Sequence, residues 1–188
     1  MMAGQRGDAA DRRNRFAEVY ERNCGPVLGY ALRRTGNGED AADVVAETFL
    51  TAWRRIDDVP EGDAARLWLY GVARNVLANH RRGERRRSEL GDRLRQDLAG
   101  AHADPEYTGE LAVVAAAFRA LPDADRELLG LVGWEGLRAR EIAAVLGCSP
   151  NAVRIRLHRA RGRFAAELAR RRDQPRSAFA RATNGGHG

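Results

Sequence analysis

Five arginines and a histidine stand between Arg154 and Arg163, in the segment NAVRIRLHRARGRF. A guanidinium offers two parallel N–H donors, which match the O6 and N7 of guanine or the oxygens of a phosphate. Val153, Leu157, Ala160 and Phe164 recur at intervals of four, three and four. A helix here turns those four inward and leaves Asn151, Arg154, Ile155, His158, Arg159 and Arg161 outward, with Arg156 and Arg163 on the flank. The chemistry offered is recognition of duplex DNA from the major groove, not bond making. The bland alternative is an amphipathic helix with a solvated basic face. The preceding residues argue against it: Ile142, Ala143, Val145 and Leu146 make an apolar face, Gly147 marks a turn, Ser149 suits the N-cap and Pro150 the first helical position. Together they have the shape of a helix-turn-helix.

Two other groups of residues carry potential function. Asp40, Asp43 and Glu47 recur at i, i+3 and i+7 beside an apolar stripe that ends in Trp53, an acidic ridge that on composition alone is a solvated face. Farther on, Trp68 and Tyr70 precede Arg74, Asn75, Asn79, His80, Arg81 and Arg82. Aromatics interleaved with Arg and Asn suit unpaired DNA, whose bases stack on rings while the backbone meets guanidinium groups. On composition alone Trp68 reads more readily as a core residue than as a stacking platform.

Composition removes other classes. All 32 basic residues are arginine, which excludes a Walker P-loop, a Schiff-base lysine and a lysine general base. Cys24 and Cys148 are far apart, and His80, His102, His158 and His187 are scattered, so no zinc site, disulfide framework or nucleophilic triad is legible and no metal or cofactor is expected. No run approaches the ~18–20 apolar residues of a membrane span, and the N-terminus lacks the apolar core of a signal peptide. A cytoplasmic protein is expected. The net charge of +6 is unevenly spread: neutral over residues 12–60, +3 over 61–100, −5 over 101–137 and +8 over 138–172. Two basic blocks separated by an acidic one suggest two places where an anion is met.

The elements that must position these residues are helices. Alanine, leucine, arginine and glutamate dominate, and no alternating β-branched run is long enough for a strand. The periodicity predicts helices over Phe16–Cys24 and, after Gly25-Pro26, Val27–Arg34. Others follow over Asp40–Arg55, Ala64–Arg82, Leu111–Ala120, Asp125–Val132, Arg138–Leu146 and Pro150 to about Arg171. Gly36-Asn37-Gly38 marks a turn and Asp57–Asp63 a loop. Residues 83–108 read as a linker, with Asp104-Pro105 blocking a helix and room for a short one within Leu90–Leu98. The polar tail from Gln174 reads as disordered. The fold class is all-α, two small helical domains on a flexible tether.

Taken in order, DAADVVAETFLTAWRRI, ARLWLYGVARNVLANHRR and FRALPDADRELLGLVGWEGLRAREIAAVLGCSPNAVRIRLHRARGRF closely resemble the extracytoplasmic-function (ECF) sigma factors of bacterial RNA polymerase, over roughly Phe16–Arg172. The resemblance implies a tail over 1–12, a helical-bundle region 2 over 13–83, a linker over 84–108, a helix-turn-helix region 4 over 109–172 and a second tail over 173–188. It implies that Asp43, Glu47, Phe49 and Trp53 form or support the surface for the polymerase clamp, and that the loop Ile56–Ala65 captures a flipped −10 base. Trp68, Arg74, Asn75, Asn79 and Arg82 would face the melted −10 strand or its upstream edge. Asn151, Arg154, Ile155, Arg156, His158 and Arg159 would read the −35 element while region 4 touches the polymerase flap. The implied partners are core polymerase, promoter DNA and an anti-sigma factor, which could hold the protein at a membrane, and the chemistry belongs to the polymerase. Two departures stand out: Asn79 where relatives often have aspartate, and Arg138 where a serine or threonine often caps. The rival readings are a self-sufficient DNA-binding regulator, which would need an effector pocket or dimer seam, and a small helical enzyme, which would need a buried catalytic constellation.

Overall fold

The computed structural model describes residues 3–95 and 109–183, with side chains over 9–80, at Arg82 and over 109–172. Every regular element among the described residues is helical, and they divide into two compact units.

In the first unit α1 spans Ala3–Thr35, α2 Gly38–Arg54 and α3 Ala64–Arg95, with one 3₁₀ turn at Ile56–Asp58 between the last two. Gly36, at φ +78°, makes the reversal between α1 and α2 possible. Asn37 then caps α2: its Oδ1 accepts the Asp40 N–H at 2.8 Å and its Nδ2 donates to the Asp40 carboxylate at 2.7 Å. Glu39 and Asp40 add negative charge to the first turn, where the helix dipole favours it. The buried side of α2 carries Ala41, Val44, Thr48, Phe49 and Ala52. The Thr48 hydroxyl, wholly enclosed, donates to the Val44 carbonyl at 2.6 Å and so leaves no unmet polar group. Facing this side are Val27, Tyr30 and Ala31 of α1 and Leu69, Tyr70, Ala73, Val76 and Leu77 of α3. The Tyr30 and Tyr70 rings stack at 4.9 Å, and the Arg34 guanidinium lies 3.5 Å above Tyr30.

Along the chain there follow α4 Gly109–Arg119, α5 Asp123–Gly133, α6 Ala139–Leu146 and α7 Pro150–Thr183, of which α4, α5, the start of α6 and α7 belong to the second unit. Leu121, Leu128, Leu131, Ile142, Val153, Leu157 and Ala160 are among its buried side chains. The Asp125 carboxylate is nearly enclosed and meets the Arg163 guanidinium at 2.6 Å, which relieves the cost of burying it. The turn before α7 is built as its residues require. Gly147 takes φ +63°, the Cys148 N–H donates back to the Ala143 carbonyl at 3.1 Å, and the Ser149 hydroxyl accepts the Ala152 N–H at 3.2 Å. At the start of α6 the missing serine or threonine is partly replaced: Glu141 accepts the Arg138 backbone N–H at 2.7 Å, half of a capping box.

Several boundaries differ from the sequence expectation. Residues 3–12 are the first turns of α1, not a disordered tail. Arg12 and Arg15 grip the 3₁₀ segment more than forty positions away, contacts that local composition cannot report. Pro26 lies inside α1 instead of breaking it. It removes one backbone donor, but Val27, Tyr30 and Ala31 just after it are fully buried, and that packing holds the helix together. Helix α3 continues through residues 83–95, into the expected linker, and α7 runs on to Thr183 into the expected tail. Arginine, alanine, leucine and glutamate sustain a helix already nucleated, because each further residue adds one hydrogen bond without a new nucleation cost. The remaining linker positions 96–108, with His102 and Asp104-Pro105, and residues 184–188, with His187, lie outside the described residues.

Candidate functional site

Three outward faces hold the residues singled out by sequence, one each on α2, α3 and α7. On α2, Asp43, Glu47, Leu50 and Trp53 follow at steps of four, three and three and form one exposed stripe. Leu50 is 46% and Trp53 39% exposed. Phe49 is different: only 4% exposed, it supports the surface from beneath. Its ring meets Tyr20 at 4.8 Å, and Phe16 lies 5.3 Å from Trp53 and 6.4 Å from Phe49, all edge-on. The Tyr20 phenol is raised above its ordinary pKa by hydrogen bonding to Cys24. Glu47 also meets His80 of α3 at 3.3 Å, tying the ridge to the next helix. Sequence reasoning missed Leu50 and the His80 pairing. Leu50 had a signal, an apolar residue three positions from both Glu47 and Trp53; the pairing had none, since it spans 33 positions.

On α3 the structure brings together four of the five expected residues. Half-buried Trp68 and exposed Asn75, Asn79 and Arg82 share a stripe at steps of seven, four and three. Arg74, also exposed, is turned about 100° away from it, at ~3.6 residues per turn. Asn79 and Arg82 act as a pair, the guanidinium donating to the amide oxygen at 2.6 Å. Beside the start of α3, Ile56 and Val59 plug the connecting segment into the core, Gly62 turns it at φ +62°, and Arg55 stands 5.7 Å from the Trp68 ring. The stripe can offer a ring edge, two amides and a cation to unpaired bases and their backbone.

On α7, Asn151, Arg154, Ile155, His158 and Arg159 are exposed opposite the buried Val153, Leu157 and Ala160. Ile155 is 47% exposed, an apolar side chain of the kind that meets a thymine methyl. Arg156 is exposed about 100° round from Ile155, on the same flank as Arg163, which is committed to Asp125. From Pro150 to Ala166 the helix carries no acid, so nothing on it opposes an approaching phosphate.

The Sigma-70 region 2 family model matches residues 19–87, and the Sigma-70 region 4 model matches residues 111–164. The chain is 32% identical to the ECF RNA polymerase sigma factor SigL of Mycobacterium tuberculosis, over 84% of its own length and 90% of that protein. The chain belongs to the ECF sigma factors. It is thus a transcription initiation factor of a family that binds RNA polymerase and promoter DNA. The solved structure of CnrH in complex with the cytosolic domain of CnrY is 32% identical, covers 82% of this chain and 87% of that one, and superimposes with a TM-score of 0.56. The sigma factor RpoE of Bartonella quintana, solved with the anti-sigma factor NepR, shares the fold at 23% identity and a TM-score of 0.61, over 85% of this chain and 97% of that one. In this sigma factor the acidic ridge and the aromatic stripe both lie within the region 2 match, and the basic face of α7 within the region 4 match. Among the described residues no helix is long and apolar enough to cross a membrane.

Proposed function

We propose that this sigma factor divides its work among the three faces. Region 2, taken as residues 13–83, docks core polymerase through Asp43, Glu47, Leu50 and Trp53, with Phe49 supporting them. Its second face, Trp68, Asn75, Asn79 and Arg82 with the loop beside it, holds the melted −10 strand, and Arg74 meets the backbone from the side. Region 4, taken as residues 109–172, reads the −35 element with Asn151, Arg154, Ile155, His158 and Arg159, and Arg156 contacts phosphate. The observation that carries this is the acid-free outward face of α7, backed by three buried side chains and launched from a capped turn. Such a helix enters a major groove N-terminus first, with its dipole toward the backbone phosphates.

The chain supplies recognition and the polymerase the chemistry, so it is not itself an enzyme and works in the cytoplasm, where the promoters are. CnrH was solved with the cytosolic domain of CnrY, and an anti-sigma factor that covers the α2 ridge would silence this protein. Run-off transcription with core polymerase, with and without the protein, tests the proposal. Protein-dependent start sites with shared −10 and −35 sequences are expected. Tight, specific duplex binding without polymerase, and no new start sites, would favour a self-sufficient regulator instead.

A further inference from the structure

The segment joining α2 to α3 carries four carboxylates in seven residues, Asp57, Asp58, Glu61 and Asp63. Such a charge is ill suited to a place beside DNA; two arginines from different helices answer it, and a third holds the backbone of the segment. From α1, Arg12 meets the Asp57 carboxylate at 2.7 Å, and Arg15 donates to the Val59 carbonyl at 2.6 Å. From the end of α2, Arg55 meets Asp58 at 2.9 Å while standing over the Trp68 ring. Val59 is buried and closes the 3₁₀ turn. Its carbonyl is an acceptor the turn does not use, and a guanidinium that reaches it fixes the backbone there.

We propose that Arg12, Arg15 and Arg55 are positioning residues for −10 recognition: they clamp the acidic segment Ile56–Asp63 in one conformation against Trp68 and neutralise two of its carboxylates. The inference rests on the proposed role of this segment in capturing an unpaired base. Global stability is not what the clamp supplies. Arg12 and Asp57 are 38% and 69% exposed and Arg55 and Asp58 58% and 59%, and ion pairs so exposed contribute ~0–1 kcal/mol each. What they determine is orientation. Three contacts at successive points of one short segment leave it few alternatives, and a pocket for a base needs walls that do not move. The clamp also gives the N-terminal turns of α1 a task in promoter opening, although they lie far from the DNA-facing helices in sequence.

The test uses full-length protein with core polymerase on a promoter mapped by run-off transcription, and on versions with each −10 base substituted in turn. The readout is the ratio of open-complex formation on the mapped promoter to that on its variants. Arg12→Ala combined with Arg55→Ala is expected to lower the ratio about tenfold, equivalent to ~1.4 kcal/mol of discrimination. Melting temperature, affinity for core and sensitivity to −35 substitutions should stay near wild type. The exchange Arg12→Asp with Asp57→Arg should restore part of what Arg12→Asp alone loses, and Arg15→Lys should retain more than Arg15→Ala. Unchanged −10 ratios in all the alanine variants would overturn the clamp, as would a loss spread equally over core binding and −35 reading. A wild-type protein with no −10 preference would instead overturn the role given to the segment, and that shows before any variant is made.

Discussion

Helices α3 and α7 each turn a polar stripe away from a buried apolar face, yet the two stripes differ in kind. On α7 the outward positions are dominated by guanidinium groups, and on α3 by two amides, one cation and a half-buried indole. Duplex DNA presents phosphates on both sides of the groove, so a helix that enters it gains from charge along its whole exposed length. An unpaired strand presents ring faces and Watson–Crick edges, which amides and aromatics match and which charge alone cannot distinguish. The Asn79–Arg82 hydrogen bond sharpens the contrast. On α3 the cation is held by a neighbour and points in a set direction, as suits a single contact. The acidic stripe of α2 is a third solution, unsuited to any nucleic acid and suited to a basic or apolar protein surface.

The first way to break this comparison is to remove the inner face of α7 and leave its outer face untouched. Leu157 is buried in the second unit. Leu157→Ala should destabilise that unit by about 2–5 kcal/mol and end −35 recognition, although every arginine remains. The α2 ridge lies in the first unit, so co-purification with core polymerase should persist at a reduced level. Two transitions in thermal unfolding, only the weaker of them shifted, would bear this out. A single shifted transition would show that the two units unfold together.

A smaller change sharpens the outer face itself. Arg154→Ala and Arg159→Ala are exposed substitutions that should leave the melting temperature within a degree or two, since surface changes cost within about 0.5 kcal/mol. Each should cost ~1–3 kcal/mol in promoter binding. If a lost partner is a base, the loss falls on one −35 position. If it is a phosphate, binding weakens uniformly and the salt slope falls by about one. Equal use of all promoters by both variants would show that α7 is merely a solvated basic helix.

The same distinction between inner and outer faces explains what was legible beforehand. The turn of the helix-turn-helix could be read because Gly147, Ser149 and Pro150 are local signals with local causes, and the structure uses Gly147 and Ser149 for the turn and the cap. The resemblance placed Phe49 among the residues that form or support the α2 surface, without saying which; that it lies beneath depends on Phe16 and Tyr20, about thirty positions upstream. The first turns of α1 were misread for the same kind of reason, since their anchors are Asp57 and the Val59 carbonyl. Arg74 stands about one helical step from the α3 stripe, an offset that a list of residue types does not show and that the roughly 100° between neighbours does. Local chemistry was visible and long-range pairing was not.

Of the three stripes, that of α2 should respond to charge most and to DNA least. Asp43→Arg with Glu47→Arg alters two exposed carboxylates, one of which also loses its His80 partner. Folding should be nearly unaffected, while association with core polymerase should slow by roughly tenfold at low salt and less at high salt. Leu50→Ala on the same stripe should instead weaken the complex at all salt concentrations, because the area it buries is apolar. Wild-type association by both variants would leave α2 as a solvated face and place the polymerase contact elsewhere.

The smallest effect expected lies at the two starts of the helix-turn-helix. Ser149 caps α7 with its side chain, whereas α6 is preceded by Arg138, whose backbone N–H is held by Glu141 but whose side chain caps nothing. Arg138→Ser supplies the missing half: a serine oxygen can accept the Glu141 N–H while Glu141 keeps the reciprocal bond, completing the capping box. A full cap contributes ~1 kcal/mol. Part of that is offset, because the Arg138 guanidinium lies 3.6 Å from the Glu141 carboxylate and that exposed pair is lost. A rise of a few degrees in the melting temperature of the second unit is therefore expected. Promoter binding should move the other way. The Arg138 side chain is 89% exposed, so its loss removes one positive charge from the helix-turn-helix, which would weaken attraction to DNA phosphates. A stabilised protein with weaker, less salt-dependent binding would show that an arginine stands at this cap for the sake of DNA. Stabilisation with unchanged binding would show that its charge is incidental to the −35 contact.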